Sequence, residues 1–309
     1  MIRRRFGAMA LSAALASGCA VTGHASQASS LGTVRSSADL LAVIDTPGPI
    51  EVETVNSTDW VMDLSGLLNL EDPKVKAAGI TNRLEPIKVF FHALRHPTQG
   101  LFIVDTGVER RLRDAPNLSP INGAVGLFFH PERMNFKMPL GDWLATHPKL
   151  TGVMLTHAHV DHISGMPDVP PGTPIYCGPG EASATAFQNL FLRGTNDGLL
   201  EGQAPLSEWQ FAPDASQRFE GVIDVFGDGS LWALWVPGHT PGSTAYLVRT
   251  PQGPVLLTGD CSHTRWGWEN GVEPGSFTGD QQQNAASLAK LKRLAAEHPR
   301  LDVRLGHQK

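Results

Sequence analysis

The stretch "THAHVDHISG" (Thr156–Gly165) places three histidines and an aspartate within six positions. Imidazole fills a core poorly and carries little charge near neutral pH. It is, however, the commonest side-chain metal ligand, because a neutral ring offers a nitrogen lone pair. In extended backbone His157 and His159 point to one side. Asp161 and His162 follow as the chain turns towards a short helix, so they address a second point. By composition, H-x-H-x-D-H arises by chance in roughly one chain in a thousand of this length.

Working outward, the cluster is delivered by a buried strand, "LTGVMLT" (Leu150–Thr156). Three further suspicious residues also sit just past predicted strands. "GSLWALWVPG" runs into His239, "GPVLLTGD" ends on Asp260, and "LDVRLGH" ends on His307. Rigid strands with chemistry on the loops beyond them are a usual arrangement of α/β scaffolds. Upstream, "PIKVFFHALRH" and "GLFIVDTG" form a hairpin around "PTQ", and "TAYLVRT" and "GPVLLTGD" form another around "PQG". In "DQQQNAASLAKLKRLAAEHP" the apolar positions Leu288, Leu291, Leu294 and Ala295 predict an amphipathic helix. Strands, helix, strands, helix, strand suit an α/β fold of two face-to-face sheets with helices outside.

The chain has 309 residues, 41% of them apolar, enough for a substantial core. Net charge is −5, and the first 25 residues hold three arginines and no acid, which leaves −8 for the rest. Such a body is a poor partner for nucleic acid. Residues 1–25 read as an export signal: "MIRRRF", then a short apolar run too brief to span a bilayer. Two details compete over processing: "ASGC" (Ala16–Cys19) resembles a lipoprotein box that would leave Cys19 lipidated as a membrane tether, whereas "GHA" (Gly23–Ala25) suits ordinary signal peptidase, which would remove Cys19; the location is then membrane-anchored or periplasmic. Residues 26–45, Ser-rich at first, are expected to be a linker, and 46–309 the globular domain. Of three cysteines, Cys177 and Cys261 are free to form a disulfide, although nothing demands it. No C-x-x-C pair exists, so a thiolate zinc ribbon is excluded.

"HAHVDH", "PGHTPGS", "TGD" and "LGH", in that order, resemble the signature of the metallo-β-lactamase superfamily. The resemblance implies an αβ/βα four-layer sandwich. It also implies that His157, His159 and His239 bind one divalent ion, that Asp161, His162 and His307 bind the other, and that Asp260 bridges them. An all-N/O donor set suits zinc, and iron, manganese and cobalt accept the same donors. Within the superfamily the pattern is most similar to N-acyl-homoserine lactone lactonases. That implies hydrolysis of a small-molecule lactone or ester by a bridging hydroxide, with Asp161 as proton acceptor. Lactonases of this type carry a tyrosine three residues after the bridging aspartate; here that position is His263, a candidate proton donor to the leaving alkoxide. A β-lactamase is a rival reading, against which Asp260 argues. An exported lipoprotein that only sequesters metal is the non-enzyme rival.

Asp105, ending "VDTG", is expected to orient a ligand histidine from behind. "GAVGLFFHPERMNFKMP" (Gly123–Pro139) and "SHTRWGWENGVEPGSF" (Ser262–Phe277) are aromatic loops. Their Phe128, Phe129, Trp266 and Trp268 either form an apolar wall for substrate or pack the loops onto the sandwich.

Overall fold

The computed structural model describes residues 19–121, 123–186 and 189–309. An 8-stranded sheet has the order Ser26–Ala28, Leu206–Glu208, Ile175–Cys177, Leu150–Met154, Gly100–Val104, Leu84–His96, Glu51–Asp63 and Asn135–Phe136. A 6-stranded sheet runs Asp302–Arg304, Gly253–Leu257, Thr244–Thr250, Leu231–Trp235, Gly221–Asp224 and Thr33–Arg35. Both hairpins read from the sequence are present as antiparallel pairs.

The pleat sorts each strand's side chains between layers. In Thr244–Thr250, Tyr246 and Val248 enter the core between the sheets, which also holds Leu94, Phe102, Val104, Met154 and Ile223. Ala245 and Leu247 face outward and meet the long helix Gln281–Glu297 through Leu288, Leu291 and Leu294. On the far face of the larger sheet, Ile87, Val89, Phe91 and Ile103 form the remaining core. Helix, sheet, sheet, helix is the four-layer sandwich of the metallo-β-lactamase fold. A buried chain of hydrogen bonds stitches the sheets together: Trp209 Nε1 donates to Tyr246 Oη at 3.1 Å, and Tyr246 Oη donates to the Leu155 carbonyl at 3.0 Å.

Residues 26–45 are not a linker. Ser26–Ala28 is an edge strand of the larger sheet, parallel to Leu206–Glu208, and Thr33–Arg35 is an edge strand of the smaller one. Helix Ser37–Val43 follows, capped by Ser36 and Asp39 in a reciprocal capping box, and buries Leu40 in the outer core. Three-residue edge strands whose side chains are all exposed show no apolar period, so only their backbone pairing defines them. The export-signal reading falls mainly on residues 1–18, outside the described residues.

Cys177 and Cys261 are free and buried. They belong to outer cores on opposite faces of the sandwich, so no disulfide joins them. Trp268 and Phe129 are packing residues: Trp268 joins the core under the long helix, and Phe129 lies 4.5 Å from the Trp60 ring. Trp266 is half-buried against the other outer core, whereas Phe128 is exposed. Among the described residues, no helix is long and apolar enough to cross a membrane.

Candidate metal centre

Each strand ends at the same rim of the sandwich and hands one part of the centre to the loop beyond it. Strand Leu150–Met154 leads into His157 and His159, and helix Val160–Ile163 turns Asp161 and His162 inward. Strand Leu231–Trp235 delivers His239, strand Gly253–Leu257 delivers Asp260, and strand Asp302–Arg304 delivers His307. All seven converge. Ligand atoms of His157, His159, His239 and Asp260 lie within 4.8 Å of one another, as do those of Asp161, His162, Asp260 and His307.

Asp260 Oδ2 is the shared point. It lies 3.2 Å from His162 Nε2, 3.3 Å from His307 Nε2, 3.5 Å from His239 Nε2 and 3.7 Å from His157 Nε2. His239 Nε2 is 2.9 Å from His159 Nδ1, and His307 Nε2 is 3.2 Å from Asp161 Oδ2. Buried His157 Nε2 and Asp260 Oδ1 have no hydrogen-bond partner. An orphaned buried nitrogen and carboxylate oxygen, both in the cluster, are costly unless a cation takes their lone pairs. The residues therefore fit two divalent ions.

The outward nitrogens fix which ring atom faces the centre. His307 Nδ1 donates to the Lys88 carbonyl at 2.8 Å, and His162 Nδ1 donates to Asp105 Oδ2 at 2.8 Å. Both therefore present Nε2. Asp105, which adopts a left-handed φ of 57°, also accepts from the Thr156 N–H at 2.8 Å and from its hydroxyl. It orients the ligand loop as expected. The centre is buried except at His159 and Asp161, which are partly open to solvent and form its mouth.

Two features were invisible in the sequence. Glu181, buried and outside any motif, accepts from Ala158 N at 2.8 Å, Thr240 Oγ1 at 2.7 Å and Gly242 N at 3.1 Å. One carboxylate thus ties the His157–His159 loop to the His239 loop. The loop that carries Glu181, which follows strand Ile175–Cys177, meets the His239 loop so closely that a Cβ on Gly178 would fall 1.6 Å from the Gly242 carbonyl oxygen. Gly306 explains the glycine of "LGH": a Cβ there would lie 2.0 Å from Asp260 Oδ1. His263, read from the sequence as a proton donor, is buried with Nε2 2.8 Å from Asp260 Oδ2 and Nδ1 3.2 Å from the Leu67 carbonyl.

Charge within the metal-free cluster is divided. Burial, reinforced by neighbouring imidazoles, holds His157 well below the ordinary histidine range, and burial lowers His159 to about 4. Burial also opposes charge on His307, but Asp260 and Asp161 outweigh it and raise it to about 10. His162 is likewise raised despite burial, by Asp260 and Asp105. At pH 7 the metal-free centre therefore holds protons on His162 and His307 that ions must displace. Metal uptake is expected to release protons, with affinity rising as pH rises. Titration calorimetry in buffers of different ionisation enthalpy checks this; a pH-independent affinity between 6 and 8 contradicts it.

Residues 92–307 match the family described as the metallo-beta-lactamase superfamily. The N-acyl homoserine lactonase AttM of Agrobacterium fabrum is 32% identical over 147 residues, 47% of this chain and 54% of that protein. An N-acyl homoserine lactonase of Bacillus cereus is 26% identical over 219 residues, 68% of this chain and 77% of that one. The chain spans about half the length of the AttM relatives it matches. Among solved structures, AidC, a dizinc quorum-quenching lactonase in complex with a product, superposes with a TM-score of 0.56 at 16% identity. The match covers 91% of this chain and 92% of that one, and at this identity it speaks for the fold alone. A match reaching from His92 to His307, on a four-layer sandwich with the clustered histidines and aspartates at its rim, places the chain in the metallo-beta-lactamase superfamily.

Proposed function

We propose that this protein is a dinuclear metal-dependent hydrolase that opens a lactone or related ester, with N-acyl-homoserine lactones as the leading substrate class. The observation that carries this reading is the pair of four-residue ligand groups sharing Asp260. The lactonase names of the relatives support the substrate class. His157, His159, His239 and Asp260 would hold one ion, and Asp161, His162, Asp260 and His307 the other, with zinc the ion that best suits these donors. When bound, such a pair polarises a carbonyl oxygen and makes water nucleophilic near neutral pH.

The protein's own groups do the rest. Burial around the cluster excludes bulk water and strengthens every electrostatic contact within it. Asp161, at the mouth, is the acceptor for the proton shed by the attacking water. Its carboxyl is held low because His162 and His307 together outweigh the cost of burial. His263 gives its Nδ1–H to the Leu67 carbonyl, so Nε2 faces the centre. Only a doubly protonated ring would offer that Nε2–H to a leaving alkoxide.

A panel of lactones, alkyl esters and β-lactams in a pH-stat, with metal analysis of the same preparation, tests the reading. Lactone turnover in proportion to bound metal supports it. Stoichiometric metal without turnover of any ester or lactone leaves a metal-sequestering protein instead. For His263→Ala, turnover of unactivated lactones is expected to fall about 10²-fold. An aryl ester, whose leaving group needs no proton, should change little. Equal loss on both substrates refutes the proton-donor role.

A further inference from the structure

The exposed large apolar residues are unevenly spread. Leu118, Leu127, Phe128, Leu190 and Phe191 all lie on or beside two helices that pack together, Gly123–Phe129 and Asn189–Leu199. Leu127 is 74% exposed, Phe128 72% and Phe191 60%. Leu118, Val125 and Phe191 line a surface hollow of about 560 Å³ together with Arg111 and Glu201. Five of the nine exposed large apolar residues among the described ones gather here, and such a concentration marks a contact with something apolar.

The chain enters the fold beside this patch. Cys19–Ala20 pairs with Thr185–Ala186, just before helix Asn189–Leu199. The next residues are pinned: Val21 N donates to the Ala184 carbonyl at 2.9 Å, Asn196 Nδ2 to the Val21 carbonyl at 3.0 Å, and Thr22 Oγ1 to Asp197 at 2.6 Å. Residues 26–45 then enter the two sheets, so no flexible tether separates Cys19 from the folded body.

We propose that the face formed by these two helices rests on a lipid bilayer, held there by a lipid-modified Cys19. "ASGC" supplies the modification signal. In that chemistry the Cys19 sulfur displaces glycerol phosphate from phosphatidylglycerol, forming a diacylglyceryl thioether, and the thiol proton leaves with the phosphate. Water then cleaves the Gly18–Cys19 peptide bond. An anchor without slack fixes which face meets the membrane, and the apolar patch is that face. The net charge of −8 beyond residue 25 gives no attraction to anionic lipid, so the two acyl chains supply the anchoring and the apolar side chains set which face is turned to the bilayer.

The test uses the full chain expressed in a Gram-negative host, purified and reconstituted into phosphatidylethanolamine/phosphatidylglycerol vesicles. Phe128→Cys carries an environment-sensitive dye; Arg293→Cys, on the helix of the opposite layer, is the control. Spin-labelled lipid is expected to quench the dye at 128 several-fold more than at 293. Mass spectrometry should show diacylglycerol on Cys19. Equal quenching at both positions, or an unmodified Cys19 in the mature protein, overturns the proposal. So does a dimer that shields position 128 without lipid, which would assign the patch to a second copy. Leu127→Cys repeats the measurement should Phe128→Cys disturb the fold.

Discussion

Asp260→Ala is expected to lower hydrolytic turnover by about 10⁴-fold, roughly 5 kcal/mol of transition-state stabilisation. Retained metal should drop below one ion per chain. The reason is geometric. Asp260 Oδ2 is the atom both ligand groups share, and each group without it keeps only three donors. Its negative charge also offsets the mutual repulsion of two cations and the cost of confining them among buried imidazoles. Elemental analysis after gel filtration and a lactone assay give the two readouts, with circular dichroism reporting that the sandwich persists. A variant that keeps both ions and a tenth of its activity would show that the two groups do not depend on a common carboxylate.

Glu181→Ala should have the second largest effect, although Glu181 is not among the residues that would hold an ion. Its removal leaves the N–H of Ala158, the N–H of Gly242 and the hydroxyl of Thr240 without their buried acceptor. Losing a carboxylate that accepts three buried hydrogen bonds costs about 3–5 kcal/mol. That corresponds to a Tm lower by about 10 °C for a domain of this size. The His157–His159 and His239 loops would lose their common brace, so metal affinity should fall about 10–100-fold. Glu181→Gln keeps one acceptor oxygen but turns an NH₂ towards a donor, and is expected to fall between the two. Melting curves with and without added zinc separate the effects: a purely structural role lowers both curves equally, while a bracing role shrinks the gap between them. An alanine variant with unchanged Tm and metal content would remove Glu181 from the centre.

What the sequence revealed tracks how local each signal is. His157 to His162 are legible because strand and turn geometry over six residues already aims them at two points. His239, Asp260 and His307 are legible because each directly follows an apolar run, and "LGH" is intelligible once Gly306 is seen making room for Asp260. The long helix is legible from its leucines. Glu181 carries no such mark: its partners are 23, 59 and 61 positions away, and only the fold brings them together. Residues 26–45 mislead for the opposite reason. Their composition is that of a spacer, and only partners about 180 residues away, such as Leu206–Glu208, make strands of them. The loop aromatics were ambiguous because burial is decided residue by residue: Phe129 is inside and its neighbour Phe128 is outside.

The left-handed backbone of Asp105 has one more implication. Few side chains tolerate a φ of 57°; glycine does so freely, asparagine and aspartate with modest strain. Conformation and chemistry at this position can therefore be separated by substitution. Glycine would relax the turn while deleting the acceptor for His162 and Thr156, and asparagine would keep the turn and one acceptor oxygen. Leaving the Thr156 N–H, its hydroxyl and His162 Nδ1 without a buried acceptor costs more than the roughly 1 kcal/mol of turn strain that glycine relieves, so the glycine variant is expected to be both less resistant to denaturant and slower in turnover, with asparagine between it and the native protein.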